Sequence, residues 1–323
     1  MRNLIEYAVN NNEASVTGFK GSAIEIAIPK SYLRDADNTS YTVTRVEKKA
    51  FLGVKGLKSI TLPESIAEVG DWAFSKCSNL KEIRFYSQPV FGRTVFEGCE
   101  RLEKIYVAAK AIDNLSSDVN TEGMDISKLN EDIACLLASV VNKFEAGYLL
   151  RDDDIGTREW FKRWDLALNS YLTADDIDGY DDRALCGEED ISYDGIASVD
   201  GELLGDSGIY LNEVGKNKCF LCVLRMIHDS FLEEDMRLKL EKYIISRSFD
   251  SDRAFAWKML KEDAGENLDF FEKYIEIVSP SKDSIEKMIK DISADKANIR
   301  SYLIKCSKNI KEGEDDFFSQ LLL

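Results

Sequence analysis

The sequence contains a single histidine, His228, among its 323 residues. Ser-His-Asp catalysis, Cys-His catalysis and histidine-rich metal sites would all have to depend on this one side chain. His228 stands at the end of a predicted helix, where we expect it to interact with the terminal carbonyl groups. Nucleotide-binding glycine loops are missing as well, because residues 201–208 have neither the Gly-Lys-Ser/Thr ending nor the Gly-x-Gly-x-x-Gly spacing. These absences predict a protein that is not an enzyme and needs no cofactor.

Long apolar runs are also absent. No stretch reaches the roughly 20 apolar residues that span a bilayer, and residues 1–7 lack the apolar core of a secretory signal. The seven cysteines are an odd number and too few for a disulfide scaffold, which favours a reducing compartment. We therefore expect a cytoplasmic protein without membrane insertion. A cell-surface location is the alternative if a signal peptide has been removed.

Two of the cysteines, Cys219 and Cys222, form a Cys-x-x-Cys pair. With Cys186 and His228 they are the candidate zinc ligands of the chain. The pair lies within an apolar helical stretch, 219–227, and a second Cys-x-x-Cys pair is absent from the sequence. The pattern predicts buried thiols on one helix face and no metal site.

The charge is unevenly distributed along the chain. The net charge is −17, but residues 1–110 hold 16 Lys+Arg and 13 Asp+Glu, whereas the remainder holds 26 and 46. Residues 152–206 alone contain 17 acidic and 4 basic side chains. This distribution argues against nucleic acid or an anionic membrane as a partner of the C-terminal part.

Within the acidic segment, a stretch beginning at Asp176 has carboxylates at spacings that could bind Ca²⁺. The register of an EF-hand is broken, because Asp181 replaces the obligatory glycine and Gly187 replaces the final glutamate. A site built from Asp176, Asp178 and Glu188 would make the protein a carboxylate- or calcium-dependent enzyme, which we keep as a second alternative. A solvated acidic segment between helices is the simpler interpretation.

A short phrase recurs about every 22 residues and ends each time on a phenylalanine: Phe51, Phe74 and Phe96. A Leu-x-x-Ile-x-apolar pattern follows each phrase and is typical of a short strand in a leucine-rich repeat. Alternation along these strands predicts that Ile60 and Leu62, Ile83 and Phe85, and Ile105 and Val107 point inward. Cys77 and Cys99 fall where a small apolar side chain fits a buried turn. One coil cannot bury its own faces, so we expect a stack with at least one capped end.

The repeats resemble those of the BspA-type leucine-rich-repeat family over residues 14–110. The residues that match its pattern are Val69, Gly70, Ala73, Phe74, Cys77, Leu80 and Ile83. The sequence departs from the family at 34–40, where a polar insertion replaces a tight turn, and at 91–95 in the last unit. The resemblance implies a bacterial protein with a binding solenoid. Because members of this family include cell-surface binding proteins, it also implies a surface or secreted adhesin-like protein as the alternative function.

Beyond residue 125 the apolar spacing becomes helical. The predicted helices are 125–144, 158–172, 213–229, 234–247, 252–263, 267–278, 281–292 and 295–307. Their short, even spacing suggests helix pairs of ankyrin or HEAT type, although the ankyrin consensus is absent. The expected fold class is α+β, a short leucine-rich-repeat solenoid followed by an all-α helical-repeat domain. The expected domains are 1–110, a linker at 111–124, and 125–323 with a long acidic insertion at about 173–211.

The outward face of the repeat strands is the remaining candidate for function. Tyrosine and arginine, which are enriched at interface hot spots, recur on it. We predict a non-enzymatic adaptor that binds a protein partner in the cytoplasm; an ordinary solvated sheet face is the alternative. Partner identity and oligomeric state do not follow from the sequence. The candidate contact residues are Glu25, Thr61, Glu82, Arg84, Tyr86, Lys104 and Tyr106.

Overall fold

The structure is a computed structural model, and it describes residues 4–108, 125–144, 146–176, 197–199 and 202–310. Residue contacts divide the chain into two compact units. Unit 1 comprises Met1–Ala167 and His228–Phe231; unit 2 comprises Leu168–Ile227 and Leu232–Leu323. The predicted linker at 111–124 lies outside the described residues.

Unit 1 contains a solenoid with two sheets. The larger sheet has the order β1-β2-β5-β7-β9 with β4 beside β5, and its strands are β1 (Leu4–Asn10), β2 (Glu13–Lys20), β4 (Ser31–Arg34), β5 (Thr39–Val46), β7 (Glu68–Val69) and β9 (Val90–Phe91). The smaller sheet is parallel throughout and consists of β3 (Glu25–Ala27), β6 (Ser59–Leu62), β8 (Glu82–Phe85) and β10 (Lys104–Tyr106).

Each coil of the solenoid gives one strand to each sheet and carries a phenylalanine, which lies within β2 in the first coil and in the turn between the two strands in the later coils. The first coil is β2–β3 with Phe19, the second β5–β6 with Phe51, the third β7–β8 with Phe74 and the fourth β9–β10 with Phe96. The strand β1 pairs antiparallel with β2 and so covers the start of the stack. The polar insertion at 34–40 contains the turn of the β4–β5 hairpin, which lies between the paired residues Arg34 and Thr39.

The interior of the solenoid is a column of stacked phenylalanine rings. Ring centroids of Phe19 and Phe51, Phe51 and Phe74, and Phe74 and Phe96 lie 6.0, 5.2 and 5.8 Å apart. The six strand residues predicted to point inward are all buried. The thiols of Cys77 and Cys99 are buried too, and each donates to the carbonyl of the preceding coil's phenylalanine at 3.1 Å. The repeat pattern therefore predicted the solenoid core correctly.

The fourth coil departs from the repeat pattern in sequence, but its backbone follows the same course as that of the third coil. Phe91 pairs with Val69 in the parallel ladder, so Gly92 takes the position that Gly70 has one coil earlier. A Cβ atom on Gly70 would lie 2.5 Å from the backbone nitrogen of Lys48, and one on Gly92 would lie 2.7 Å from that of Asp71. Both positions require glycine because consecutive coils touch through their backbones there.

Helix α1 (Ile126–Asn142) covers the end of the solenoid by packing on β10. Asp125 caps it, because its side chain accepts from the backbone N–H groups of Ser127 and Lys128. A 3-10 helix (Gly147–Arg151) and α2 (Arg158–Thr173) follow. The buried indole of Trp164 donates to the carbonyl of Leu136 at 3.3 Å. The predicted second domain began at 125, but the contacts assign 125–167 to the solenoid unit, since the last strand needs an apolar cover.

Unit 2 is helical. Its helices are the end of α2, then α3 (Gly205–Ile227), α4 (Glu234–Ile245), α5 (Phe255–Glu262), α6 (Leu268–Val278), α7 (Lys282–Asp291) and α8 (Ala297–Asn309). A small hairpin pairs β11 (Ala197–Val199) with β12 (Glu202–Leu204). Helix α3 packs against α4, α5 and α6, and α7 packs against α8. Together with the repeats of unit 1, this helical region gives the expected α+β class.

Helix α3 begins earlier than predicted, at Gly205 where the sequence suggested residue 213. Glycine disfavours helix, so local propensity hides the first turns. Packing explains Gly215, because a Cβ atom there would lie 2.5 Å from the Phe255 ring. Most of the predicted acidic insertion at 173–211 lies outside the described residues, and its end belongs to α3.

Candidate functional site

The candidate contact residues lie in two rows across the parallel sheet β3-β6-β8-β10. Register pairing aligns the residues of one row as Glu25, Ser59, Glu82 and Lys104, and of the other as Ala27, Thr61, Arg84 and Tyr106. In β6, β8 and β10 these residues alternate with buried ones, as the strand pattern requires. Tyr86 follows β8 and is 58% exposed.

Arg84 is the centre of this face. Its Nη2 lies 3.0 Å from Glu82 Oε1 on the same strand. Its guanidinium carbon lies 3.7 Å from the ring centroid of Tyr106 on the neighbouring strand. Stacking on an aromatic ring and a carboxylate contact fix the guanidinium plane, which leaves a pre-oriented cation with exposed Tyr86 two residues further on.

Helix α1 meets the same face through Glu131. Glu131 Oε1 lies 2.5 Å from Lys104 Nζ, and its Oε2 accepts from the Tyr106 hydroxyl at 2.5 Å. Burial and this hydrogen bond raise the pKa of Tyr106 to about 12. Burial opposes ionisation of Glu131, but the hydrogen bonds from Lys104 and Tyr106 outweigh it and lower its pKa. Lys104 and Tyr106 thus bind α1 within the chain.

The remaining candidate residues are the part of the face without that helix contact. They are Glu25, Thr61, Glu82, Arg84 and Tyr86. The strand pattern could not separate them from Lys104 and Tyr106, because nothing in a repeat specifies which later segment covers its last strand.

A buried polar cluster around Asp132 is the feature that the sequence did not indicate. The Asp132 side chain is 2% exposed and accepts from Lys128 Nζ at 2.8 Å and from the Ser230 backbone N–H at 3.0 Å. Its Oδ1 lies 3.0 Å from His228 Nδ1. His228 therefore contacts a carboxylate, which differs from the predicted interaction with helix carbonyls. Burial raises the pKa of Asp132, but the hydrogen bonds and the nearby imidazole outweigh it, so the pKa is lowered overall.

This cluster anchors the segment His228–Phe231 in unit 1. Asp229 pairs with Lys128 at 2.9 Å, and the Phe231 ring lies 5.4 Å from that of Phe161. These contacts surround the only histidine with structural partners. Within the described ranges, no group of three or more His, Cys, Asp or Glu side chains could hold a metal ion.

The candidate calcium and zinc residues have other surroundings. Asp176 Oδ1 accepts from Lys218 Nζ at 2.6 Å, and the Lys218 side chain is 1% exposed. An ammonium group therefore already neutralises that carboxylate. Asp178 and Glu188, like Cys186, lie outside the described residues. Cys219 and Cys222 are buried in α3, burial raises the pKa of both thiols, and both are free.

Comparison with known families and structures concerns the repeats alone. The family described as "BspA type Leucine rich repeat region" matches residues 35–130 in six copies. Leucine-rich repeats generally form binding surfaces for other proteins and are generally non-enzymatic. No curated protein matches the chain. None of the helices in the described part of the chain has the length and apolarity to cross a membrane.

Solved structures with local similarity are bacterial leucine-rich repeat proteins. One from Bacteroides capillosus is 24% identical with a TM-score of 0.28, and the match covers 30% of this chain and 72% of that one. A leucine rich cell surface protein from Faecalibacterium prausnitzii is 24% identical (TM-score 0.29; 32% and 30% covered). One from Bacteroides ovatus is 26% identical (TM-score 0.30; 32% and 28% covered). The chain thus spans less than a third of the last two. The resemblance of the repeat region to the BspA-type leucine-rich repeats is therefore confirmed by a family model over residues 35–130.

Proposed function

We propose that this chain is a non-enzymatic protein-binding adaptor. Its partner contacts the part of the strand face that α1 does not touch, which contains Glu25, Thr61, Glu82, Arg84 and Tyr86. The observation that carries the proposal is the arrangement at Arg84, a guanidinium held by Glu82 and Tyr106 beside the exposed Tyr86. Arginine and tyrosine are the side chains that most often dominate binding energy at protein interfaces. A cation that is already oriented loses less conformational entropy when a partner carboxylate binds it.

The proposed location is the cytoplasm, and the cell surface remains the alternative. The cytoplasmic proposal is supported by the six described cysteines, all of which carry free thiols. Unit 2 is proposed as the scaffold that accompanies the binding solenoid. The ankyrin- or HEAT-like pairing of its helices stays a prediction. A calcium-dependent enzyme is disfavoured, because the Lys218 ammonium group already pairs with Asp176, the first of the candidate calcium ligands.

The test is a comparison of partner capture by the wild type and by two variants. The protein is immobilised, exposed to host lysate, and the captured proteins are quantified by mass spectrometry and then titrated singly. We expect Arg84→Glu combined with Tyr86→Ala to weaken binding at least about tenfold, the usual effect at a hot spot. Tyr106→Ala is unsuitable as a probe, because it would also release Glu131 of α1.

The matched control is Arg45→Glu. Arg45 lies on β5 of the other sheet, is half exposed and pairs with Glu68 at 2.9 Å. We expect this charge reversal to leave partner affinity within about twofold, since surface ion pairs contribute little. If substitutions at residues 176–190 abolish binding while the Arg84 and Tyr86 variant retains it, the acidic segment is the partner-binding surface and this proposal is wrong.

A further inference from the structure

A groove of about 490 Å³ lies at the end of the solenoid in unit 1. One wall is the phenylalanine turn of the fourth coil, residues 92–100, and the other is the end of α1 with the 3-10 helix. Val141 and Phe144 give the second wall an apolar, half-buried surface. Exposed Glu97 and Glu100 border the groove, and so does Arg151, whose Nη2 donates to the Gly92 carbonyl at 3.4 Å.

The first wall is the surface on which each earlier coil receives its neighbour. At the phenylalanine turns of the second and third coils, three alternate N–H groups donate to three alternate carbonyls of the next coil. In the second coil they are Lys49, Phe51 and Gly53, which donate to Asp71, Ala73 and Ser75 at 3.0, 2.8 and 2.8 Å. In the third they are Trp72, Phe74 and Lys76, which donate to Arg93, Val95 and Glu97 at 3.1, 3.0 and 2.6 Å.

The fourth coil repeats this backbone but has no following coil. Thr94 and Gly98 have φ angles of 47° and 71°, matching 54° at Trp72 and 59° at Lys76. The N–H groups of Thr94, Phe96 and Gly98 therefore point along the stack as their counterparts do. Across the part of the chain that the structure describes, these three groups have no hydrogen-bond acceptor.

The second wall supplies a complementary acceptor. Asn142 Nδ2 donates to the carbonyl of Leu102 at 2.8 Å, which fixes the amide. Its Oδ1 is buried and has no hydrogen-bond partner within the described ranges. A buried acceptor without a donor is costly unless a ligand or water satisfies it. Donors at alternate residues on one wall and an acceptor on the other can pair with the backbone of a bound peptide segment.

We infer that this groove binds a peptide segment of a partner protein, in the turn conformation of a following coil, by main-chain pairing with Thr94, Phe96 and Gly98. The surface continues the coil–coil interface by one step, so the segment takes the place of the next phenylalanine turn. Its carbonyl groups at alternate residues accept the three N–H groups. A basic side chain in the segment complements Glu97 and Glu100. This site lies apart from the strand face and does not depend on the function proposed for it.

The probe is a fluorescently labelled synthetic peptide of residues 70–76, Gly-Asp-Trp-Ala-Phe-Ser-Lys, which pairs in this manner with the second coil. It is titrated against the full chain and followed by fluorescence anisotropy, with a scrambled peptide as reference. We expect saturable binding of the probe and at least tenfold weaker binding of the scrambled peptide. Absence of saturable binding, or equal binding of both peptides, overturns the inference.

Two variants locate the bound peptide. Val141→Trp fills the groove from its half-buried wall, and Glu97→Lys with Glu100→Lys reverses the rim charge; each should weaken binding at least tenfold. Asp35→Lys, a charge reversal at an exposed residue of the β4–β5 turn, should change it less than twofold. Circular dichroism confirms that each variant is folded. Unchanged binding by Val141→Trp overturns the inference. A second result would also overturn the inference: the wild type forms a concentration-dependent dimer, Val141→Trp abolishes that dimer, and the peptide does not displace it. A second copy of the chain would then occupy the groove.

Discussion

At the scale of single residues, Phe74 lies inside the column of phenylalanine rings, with a neighbour on each side. Its fully buried ring stacks between those of Phe51 and Phe96. We expect Phe74→Ala to lower the free energy of unfolding by about 3–5 kcal/mol, the usual cost of deleting a buried phenylalanine. Leu52→Ala is the control, because Leu52 is 43% exposed in the equivalent turn of the preceding coil. Chemical denaturation measures both, and a loss below about 1 kcal/mol for Phe74→Ala would contradict the stacked core.

Asp132 gives a pH-dependent prediction. Its pKa is lower in the folded chain than in the unfolded one, so its ionised form stabilises the fold above the unfolded pKa of about 3.9 and loses this effect below it. We expect Asp132→Asn to cost about 1–3 kcal/mol at neutral pH, because Lys128 and His228 lose a charged acceptor. The difference from the wild type should shrink below about pH 4. Urea denaturation at both pH values measures it, and an equal gap at both would show that the charge is not responsible.

Residue identity predicted the phenylalanine core and the buried cysteines because both recur with a fixed period. It did not predict the partner of His228. Asp132 is 96 residues away in the sequence, and only the return of the chain into unit 1 brings the two together. Contacts of this kind leave no local pattern.

At the scale of the elements, the close approach of the third and fourth coils to the coil before each depends on a glycine, Gly70 or Gly92. A Cβ atom on Gly70 would meet the backbone of Lys48 at 2.5 Å, whereas one on Gly56 would meet nothing nearer than 3.6 Å. We expect Gly70→Ala to lower the stability by about 1–3 kcal/mol through overpacking. Gly56→Ala should change it by no more than about 0.5 kcal/mol. Thermal unfolding compares the two, and equal melting temperatures would refute the backbone contact.

Most elements were predictable from the sequence because their apolar periods differ, two in the strands and near 3.6 in the helices. Helix α1 itself was expected, but its place on β10 was not, since a helix with an apolar face can pack on any apolar surface. The consequence for the candidate site is direct. Two of its seven residues, Lys104 and Tyr106, bind Glu131 of α1.

At the scale of the whole molecule, the cysteines give one prediction for all parts of the chain. We expect seven free thiols in the denatured protein and no stoichiometric zinc by elemental analysis. In the native protein, Cys306 should react before Cys77, Cys99, Cys219 and Cys222, because it alone of these five is only partly buried. Thiol titration with and without denaturant tests this order. One zinc per chain, or fewer than seven thiols after denaturation, would show the prediction to be wrong.

The hydrogen bonds that repeat from one turn to the next have a consequence for the length of the solenoid. The turns of the second, third and fourth coils are joined by the same three hydrogen bonds, and these bonds all run in one direction along the stack. Consider a duplicated coil of about 22 residues inserted after β8. The N–H groups of the third coil would then donate to the carbonyls of the new turn, and the N–H groups of the new turn would donate to the carbonyls of the present fourth coil. The hairpin at the start and α1 at the end would keep their own contacts and move apart by one strand spacing, about 4.8 Å. Repeat number can therefore change without redesign of either end, and the contact surface would lengthen in unit increments.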